Sequence, residues 1–131
     1  MLPPEEQPEA APGAKALRVL VVEDDPDALA AMVDMLQLLG HWATGVKSAE
    51  IAKDRFYENA FDVLMTDVGL PALSGFELVE SLRAQHKVDV IFVTGRPRPD
   101  TLPPDASWLQ KPFDVQQLEA VLDERRAHFA A

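Results

Sequence analysis

A chain of 131 residues, 47% of them apolar, suits one domain of ordinary size with a single core and is too apolar to be disordered throughout. Its 22 acidic residues against 12 basic ones give a net charge of −10, a field that repels phosphate backbones and disfavours direct nucleic-acid binding. The absence of cysteine excludes disulfides, thiolate metal sites and cysteine nucleophiles, and no apolar run is long enough to span a bilayer; a cytoplasmic protein without membrane contact is expected.

Residues 1–15 hold Pro3, Pro4, Pro8 and Pro12 among Glu, Ala and Gln, and predict a disordered tail or interdomain linker, leaving residues 16–131 for the folded domain. Leu17–Val22 is a short, β-branched apolar run, as expected of a strand buried on both faces. Asp25 and Pro26 then give a capping carboxylate and a proline at the first helical position. Leu29, Met32, Val33, Leu36 and Leu39 follow at helical spacing, and Gly40 supplies the stop. A weaker strand is predicted over Trp42–Val46, and Ser48 can cap a second helix carrying Ile51, Ala52 and Phe56.

The alternation continues. Asp62–Thr66 predicts a third strand, and Ser74 with Glu77 has capping-box spacing before a helix that turns Leu78, Val79 and Leu82 to one face. Val88–Val93 is the fourth strand. Pro97, Pro99, Pro103 and Pro104 then forbid a regular helix over residues 95–106. Ser107–Gln110 is a short fifth strand, and Asp114 with Gln117 can cap a last helix with Leu118, Val121, Leu122 and Phe129 inward. Strands alternating with amphipathic helices imply an open parallel α/β sheet with helices on both faces, and such sheets bind ligands beyond the carboxyl ends of their strands.

Those ends are rich in chemistry. The first strand ends in Glu23-Asp24-Asp25, the third in Asp67, the fourth in Thr94, and the fifth runs into Lys111-Pro112. Carboxylates gathered that closely repel one another, and a hard divalent cation such as Mg²⁺ relieves the repulsion. One carboxylate can then act as nucleophile on a phosphoryl group, with the hydroxyl and the ammonium facing the transferring oxygens. The three histidines, His41, His86 and His128, carry no metal-ligand spacing and read as surface residues.

From Ala16 to about Phe129 the chain resembles the receiver domain of two-component response regulators. The pieces that carry the resemblance are VLVVEDDP (19–26), DVLMTDVGLPALSG (62–75), VIFVTGR (90–96) and LQKPFD (109–114), in the family's order and each at a strand end. The resemblance implies a flavodoxin-like open sheet of five parallel strands and a Mg²⁺-dependent phosphorylation of Asp67. It assigns Asp24 to the metal, Glu23 to metal-bound water, and the Gly69 backbone carbonyl to the completion of the metal site. Thr94 takes the place of the switch hydroxyl, Lys111 of the lysine that pairs with the phosphoryl group, and Pro112 of a proline after a cis peptide. Trp108 occupies the position of the switch aromatic, where Tyr or Phe is usual.

The chain departs from the family between Thr94 and Lys111, which stand seventeen residues apart, several fewer than usual. The shortfall lies where the fourth helix normally falls, so that helix is expected to be shortened or missing and the family's usual dimer is not carried over. Gly69 and Arg96 fall at two positions associated with the lifetime of the phosphorylated form.

The expected donor is a phosphohistidine on a histidine kinase or phosphotransfer protein, with output by protein–protein contact or by service as a phosphate sink. Such a domain would catalyse its own phosphorylation and dephosphorylation without being a stand-alone enzyme. Direct transcriptional control is not expected of this chain, and both a single-domain receiver and a receiver cut from a hybrid kinase fit the sequence. A pseudo-receiver that signals by binding alone is the alternative. An aspartyl phosphatase is weaker, because Gly69 stands where those enzymes place a second acid.

Overall fold

The computed structural model describes residues 16–56 and 60–130, with side chains described as far as residue 127. The tail predicted at 1–15, the inward placement of Phe129 and the surface placement of His128 lie outside the described residues and side chains. Five strands, β1 (Arg18–Val22), β2 (Trp42–Val46), β3 (Val63–Asp67), β4 (Val90–Thr94) and β5 (Ala106–Gln110), form one parallel sheet in the order β2-β1-β3-β4-β5. The helices are α1 (Pro26–Leu38), α2 (Ala49–Arg55), α3 (Gly75–Arg83) and α4 (Val115–Ala130).

Strand alternation divides the core in two. Leu17, Val19, Val21, Met65 and Ile91 share a cluster with Leu29, Met32 and Leu36 of α1 and Leu118, Val121 and Leu122 of α4. Leu20, Val22, Leu64 and Phe92 share the other with Ala49 and Ala52 of α2 and Leu78, Val79 and Leu82 of α3. Every strand residue of β4 is buried, as a central parallel strand covered on both faces requires. A buried ion pair, Arg125 Nη1 to Asp89 at 3.0 Å, fastens α4 beside the start of β4.

The local signals act as the sequence predicts. The Asp25 side chain accepts from the Asp27 amide with Pro26 at the helix start, and Gly40 ends the turn at φ 91°. Ser48 accepts from the Ile51 amide, Ser74 and Glu77 form a reciprocal capping box, and Asp114 and Gln117 cap one another's backbones.

Residues 95–105 hold neither helix nor strand, so the fourth helix expected of the family is missing. That segment is tied down nonetheless. Arg83 pairs with Asp105 at 2.8 Å, the Asp105 carbonyl accepts from the Val90 amide, and the Ala106 amide donates to the Pro103 carbonyl.

Ile51, His41 and His86 take distinct places around the sheet. Ile51 points outward at 42% exposure, because α2 is only two turns long and covers the sheet with Ala49, Ala52 and the following Phe56. His41 is buried, its Nδ1 accepting the Leu17 amide at 2.9 Å just ahead of β1. His86 is half-buried, its ring edge against Phe56 at 5.6 Å. Neither histidine is the surface residue its isolation in sequence suggested.

Candidate functional site at the carboxyl ends of the strands

The order β2-β1-β3 reverses direction between β1 and β3, and the crevice beyond that point is where an open parallel sheet binds ligands. Register puts Val22 beside Thr66, so Glu23 and Asp24 emerge next to Asp67, the last residue of β3. Ligand oxygens of Glu23, Asp24 and Asp67 all lie within 4.8 Å of one another. Glu23 is buried, Asp67 half-buried and Asp24 exposed, so the cluster opens toward solvent on one side.

Lys111 arrives from the end of β5, with Nζ 3.4 Å from Glu23 Oε1 and 3.7 Å from Asp67 Oδ2. The Lys111–Pro112 peptide is cis, as the resemblance implied. Burial and the adjacent Asp67 push the Glu23 carboxyl up to about 7, against the opposing attraction of Lys111. A single ammonium therefore leaves the cluster short of positive charge. Three oxygen ligands around that deficit are the donor set Mg²⁺ prefers.

The surrounding loops hold Asp67 in place. The Gly69 amide donates to Asp67 Oδ1 at 3.1 Å, and the Thr66 hydroxyl donates to the Asp67 carbonyl at 2.9 Å. Gly75, the first residue of α3, has its amide on the Val68 carbonyl, and a Cβ there would meet the Asp67 carbonyl oxygen at 2.3 Å. Gly75 is a site residue that the sequence reading passed over. Its signal was a glycine directly after the Ser74 cap, where a better helix former is usual.

Thr94 ends β4, one strand away from Asp67, with Oγ1 accepting the Arg96 amide at 3.2 Å. Trp108 lies further out on β5, half-buried, its ring centroid 5.9 Å from Phe92 and 6.2 Å from Phe76. Its indole N–H donates to the Arg96 carbonyl at 3.0 Å. The structure thus brings Glu23, Asp24, Asp67 and Lys111 into direct contact range and links Thr94 to Trp108 through Arg96. Beside Asp67 and Lys111, an apolar groove of about 580 Å³ runs between α1 and the turn after β5, lined by Ala28, Met32, Met35, Met65 and Phe113.

Comparison with known proteins agrees with this geometry. Residues 19–123 match the family model of the response regulator receiver domain. The chain belongs to that family. It is 32% identical over 107 residues to the response regulator receiver protein CpdR of Brucella abortus, an alignment covering 77% of this chain and 89% of that protein. A gliding motility regulatory protein of Myxococcus xanthus is 36% identical over 93 residues, 69% of this chain but only 12% of the relative's length. Among solved structures, the response regulator TrrA of Thermotoga maritima, in complex with Mg²⁺-BeF, superposes with a TM-score of 0.74 at 25% identity, covering 82% of this chain and 97% of that one.

Proposed function

We propose that this receiver domain accepts a phosphoryl group on the Asp67 carboxylate from a phosphohistidine on a histidine kinase or phosphotransfer protein, in the cytoplasm, and signals through protein–protein contact or acts as a phosphate sink. The observation that carries this reading is the convergence of Glu23, Asp24 and Asp67 within 4.8 Å, with Lys111 Nζ 3.7 Å from Asp67 Oδ2. A module that signalled by binding alone would need no such convergence of like charges.

In this reading an Asp67 oxygen attacks phosphorus in line with the departing nitrogen. The P–N bond breaks as the Asp67 O–P bond forms, its electron pair passing to the ring nitrogen, and the donor ring, protonated on its other nitrogen, leaves as a neutral imidazole. Lys111 and the Thr94 hydroxyl face the oxygens of the transferred group, stabilising the charge it carries. Glu23, Asp24, Asp67 and the Gly69 carbonyl would hold Mg²⁺, and the poverty of positive charge around a largely buried Glu23 supports that fit. Bound there, Mg²⁺ would neutralise charge on the transferring phosphoryl oxygens. The groove flanked by Met32, Met35 and Phe113 offers the donor protein an apolar seat beside Asp67. TrrA, crystallised with Mg²⁺-BeF, lends support by similarity.

Phosphotransfer from a radiolabelled phosphohistidine protein tests the reading. Label is expected on the wild type in Mg²⁺ and not on Asp67→Asn; label retained by Asp67→Asn would overturn it.

A further inference from the structure

Thr66, the residue before Asp67 in β3, is wholly buried. Register sets it between Val22 of β1 and Phe92 of β4, and strand alternation turns it to the face of Leu64, under α2 and α3. Those neighbours are apolar. Valine, with the shape of threonine and no polar atom, would serve packing alone at this position. A hydroxyl taken out of water there costs free energy unless it is hydrogen-bonded. The Thr66 hydroxyl donates to the Asp67 carbonyl at 2.9 Å.

That carbonyl belongs to the peptide unit joining Asp67 to Val68, so its direction sets the course of the chain beyond the strand. The chain then turns back on the acceptor. The Gly69 amide donates to Asp67 Oδ1 at 3.1 Å, and the Val68 carbonyl accepts the Gly75 amide at 3.0 Å. Gly75 lies so close to the Asp67 carbonyl that a Cβ would come within 2.3 Å of its oxygen. One peptide unit is therefore fixed by a hydrogen bond from β3 and by contact with the first residue of α3.

The two carboxylate oxygens of Asp67 have different surroundings. Oδ1 accepts the Gly69 amide, while Oδ2 lies 3.7 Å from Lys111 Nζ. Turning the peptide unit between Asp67 and Val68 would carry the Gly69 amide off Oδ1 and free the carboxylate to rotate.

We propose that Thr66 is a positioning residue for phosphoryl transfer. Its hydroxyl, acting through the Asp67 carbonyl and the Gly69 amide, holds the acceptor carboxylate in one orientation. The inference rests on the reading of Asp67 as phosphoacceptor. Transfer depends steeply on such aim, because the attacking oxygen, phosphorus and leaving atom must lie in line.

Rates of phosphorylation by acetyl phosphate in saturating Mg²⁺, read from the intact mass of the full-length chain, test the assignment. Thr66→Val keeps the shape and removes the donor, whereas Thr66→Ser keeps the donor and removes a methyl group. The valine variant is expected to react about tenfold more slowly or worse. The serine variant should stay within about threefold of the wild type, because the hydrogen bond survives. Thr66→Ala also lacks the donor and should be slow, which supplies the comparison if the valine chain does not fold.

Val90→Ala opens a gap on the same face of the sheet, at the amino-terminal end of β4, and controls for loosening of the core. Its melting midpoint should fall while its rate stays within about threefold of the wild type. A wild-type rate in the donor-less variants, a serine variant as slow as they are, or equal slowing by Val90→Ala would each overturn the proposal. A wild type that gains no phosphoryl group would overturn the reading of Asp67 itself, and this assignment with it.

Discussion

Trp108 donates its indole N–H to the carbonyl of Arg96 at 3.0 Å, and the amide of that same Arg96 donates to Thr94 Oγ1 at 3.2 Å. One residue of the proline-rich segment thus connects the Thr94 hydroxyl at the end of β4 to an aromatic ring further along the sheet. For Thr94 to turn toward a phosphoryl group on Asp67, its bond from Arg96 must break, and the Arg96 carbonyl that receives Trp108 is then free to shift. In a Trp42→Phe background, phosphorylation should change the emission of Trp108, and Thr94→Val should leave phosphorylation in place while suppressing that change. An undiminished change in the valine variant would show that the two side chains are not coupled through Arg96.

Glu23 gives the site a pH dependence of definite sign. Its carboxyl lies at about 7, above the ordinary 4.5, because of burial and then Asp67, with Lys111 pulling the other way. Folding therefore favours the protonated form, and the associated stability is full below about pH 4.5 and lost as pH rises through about 7. In chelator, the melting midpoint should fall across that window in the wild type and fall less in Glu23→Gln. Mg²⁺ affinity should rise across the same window, because the carboxyl must lose its proton to serve the metal. Calorimetric melts and metal titrations at several pH values measure both.

Two glycines near Asp67 should respond oppositely to the same change. A Cβ at Gly75 would meet the Asp67 carbonyl at 2.3 Å, whereas one at Gly69 meets nothing within 4 Å. Gly75→Ala is expected to cost roughly 1–3 kcal/mol in urea unfolding, since a backbone oxygen cannot swing aside. It should also slow phosphorylation by displacing the acceptor. Gly69→Ala should change stability by less than about 0.5 kcal/mol.

His41 anchors the opposite end of the sheet. Burial, reinforced by the nearby Arg126, lowers its pKa, with Asp123 opposing. Because the folded pKa is depressed, the neutral ring's contribution is present above the ordinary histidine value and lost as pH falls through the folded one. His41→Ala leaves the Leu17 amide without its acceptor and is expected to cost about 2 kcal/mol. It should also flatten the loss of stability on acidification, read from urea midpoints at neutral and mildly acidic pH.

Sequence legibility followed the range of the interactions. Asp25-Pro26, Ser74 with Glu77, and Asp114 with Gln117 act within one helical turn, so their spacing announced them. The four prolines after β4 likewise declared the missing helix, because proline acts on its own backbone. The strand-end residues Glu23, Asp24, Asp67 and Lys111 were legible because a parallel sheet aligns its carboxyl ends. His41 was not, since the Leu17 amide it receives lies twenty-four residues away and its burial depends on the packing of α4. Gly75 against the Asp67 carbonyl and Arg96 between Thr94 and Trp108 were hidden for the same reason: each contact joins different elements and exists only once the sheet and its helices have assembled.

Phosphorylation of Asp67 is read from intact mass after incubation with acetyl phosphate, on wild type and Asp67→Asn, in Mg²⁺ and in chelator. The wild type in Mg²⁺ should gain one phosphoryl group, and the other three samples none. No gain in the wild type, from acetyl phosphate or from a phosphohistidine protein, or a gain that survives Asp67→Asn, would contradict it.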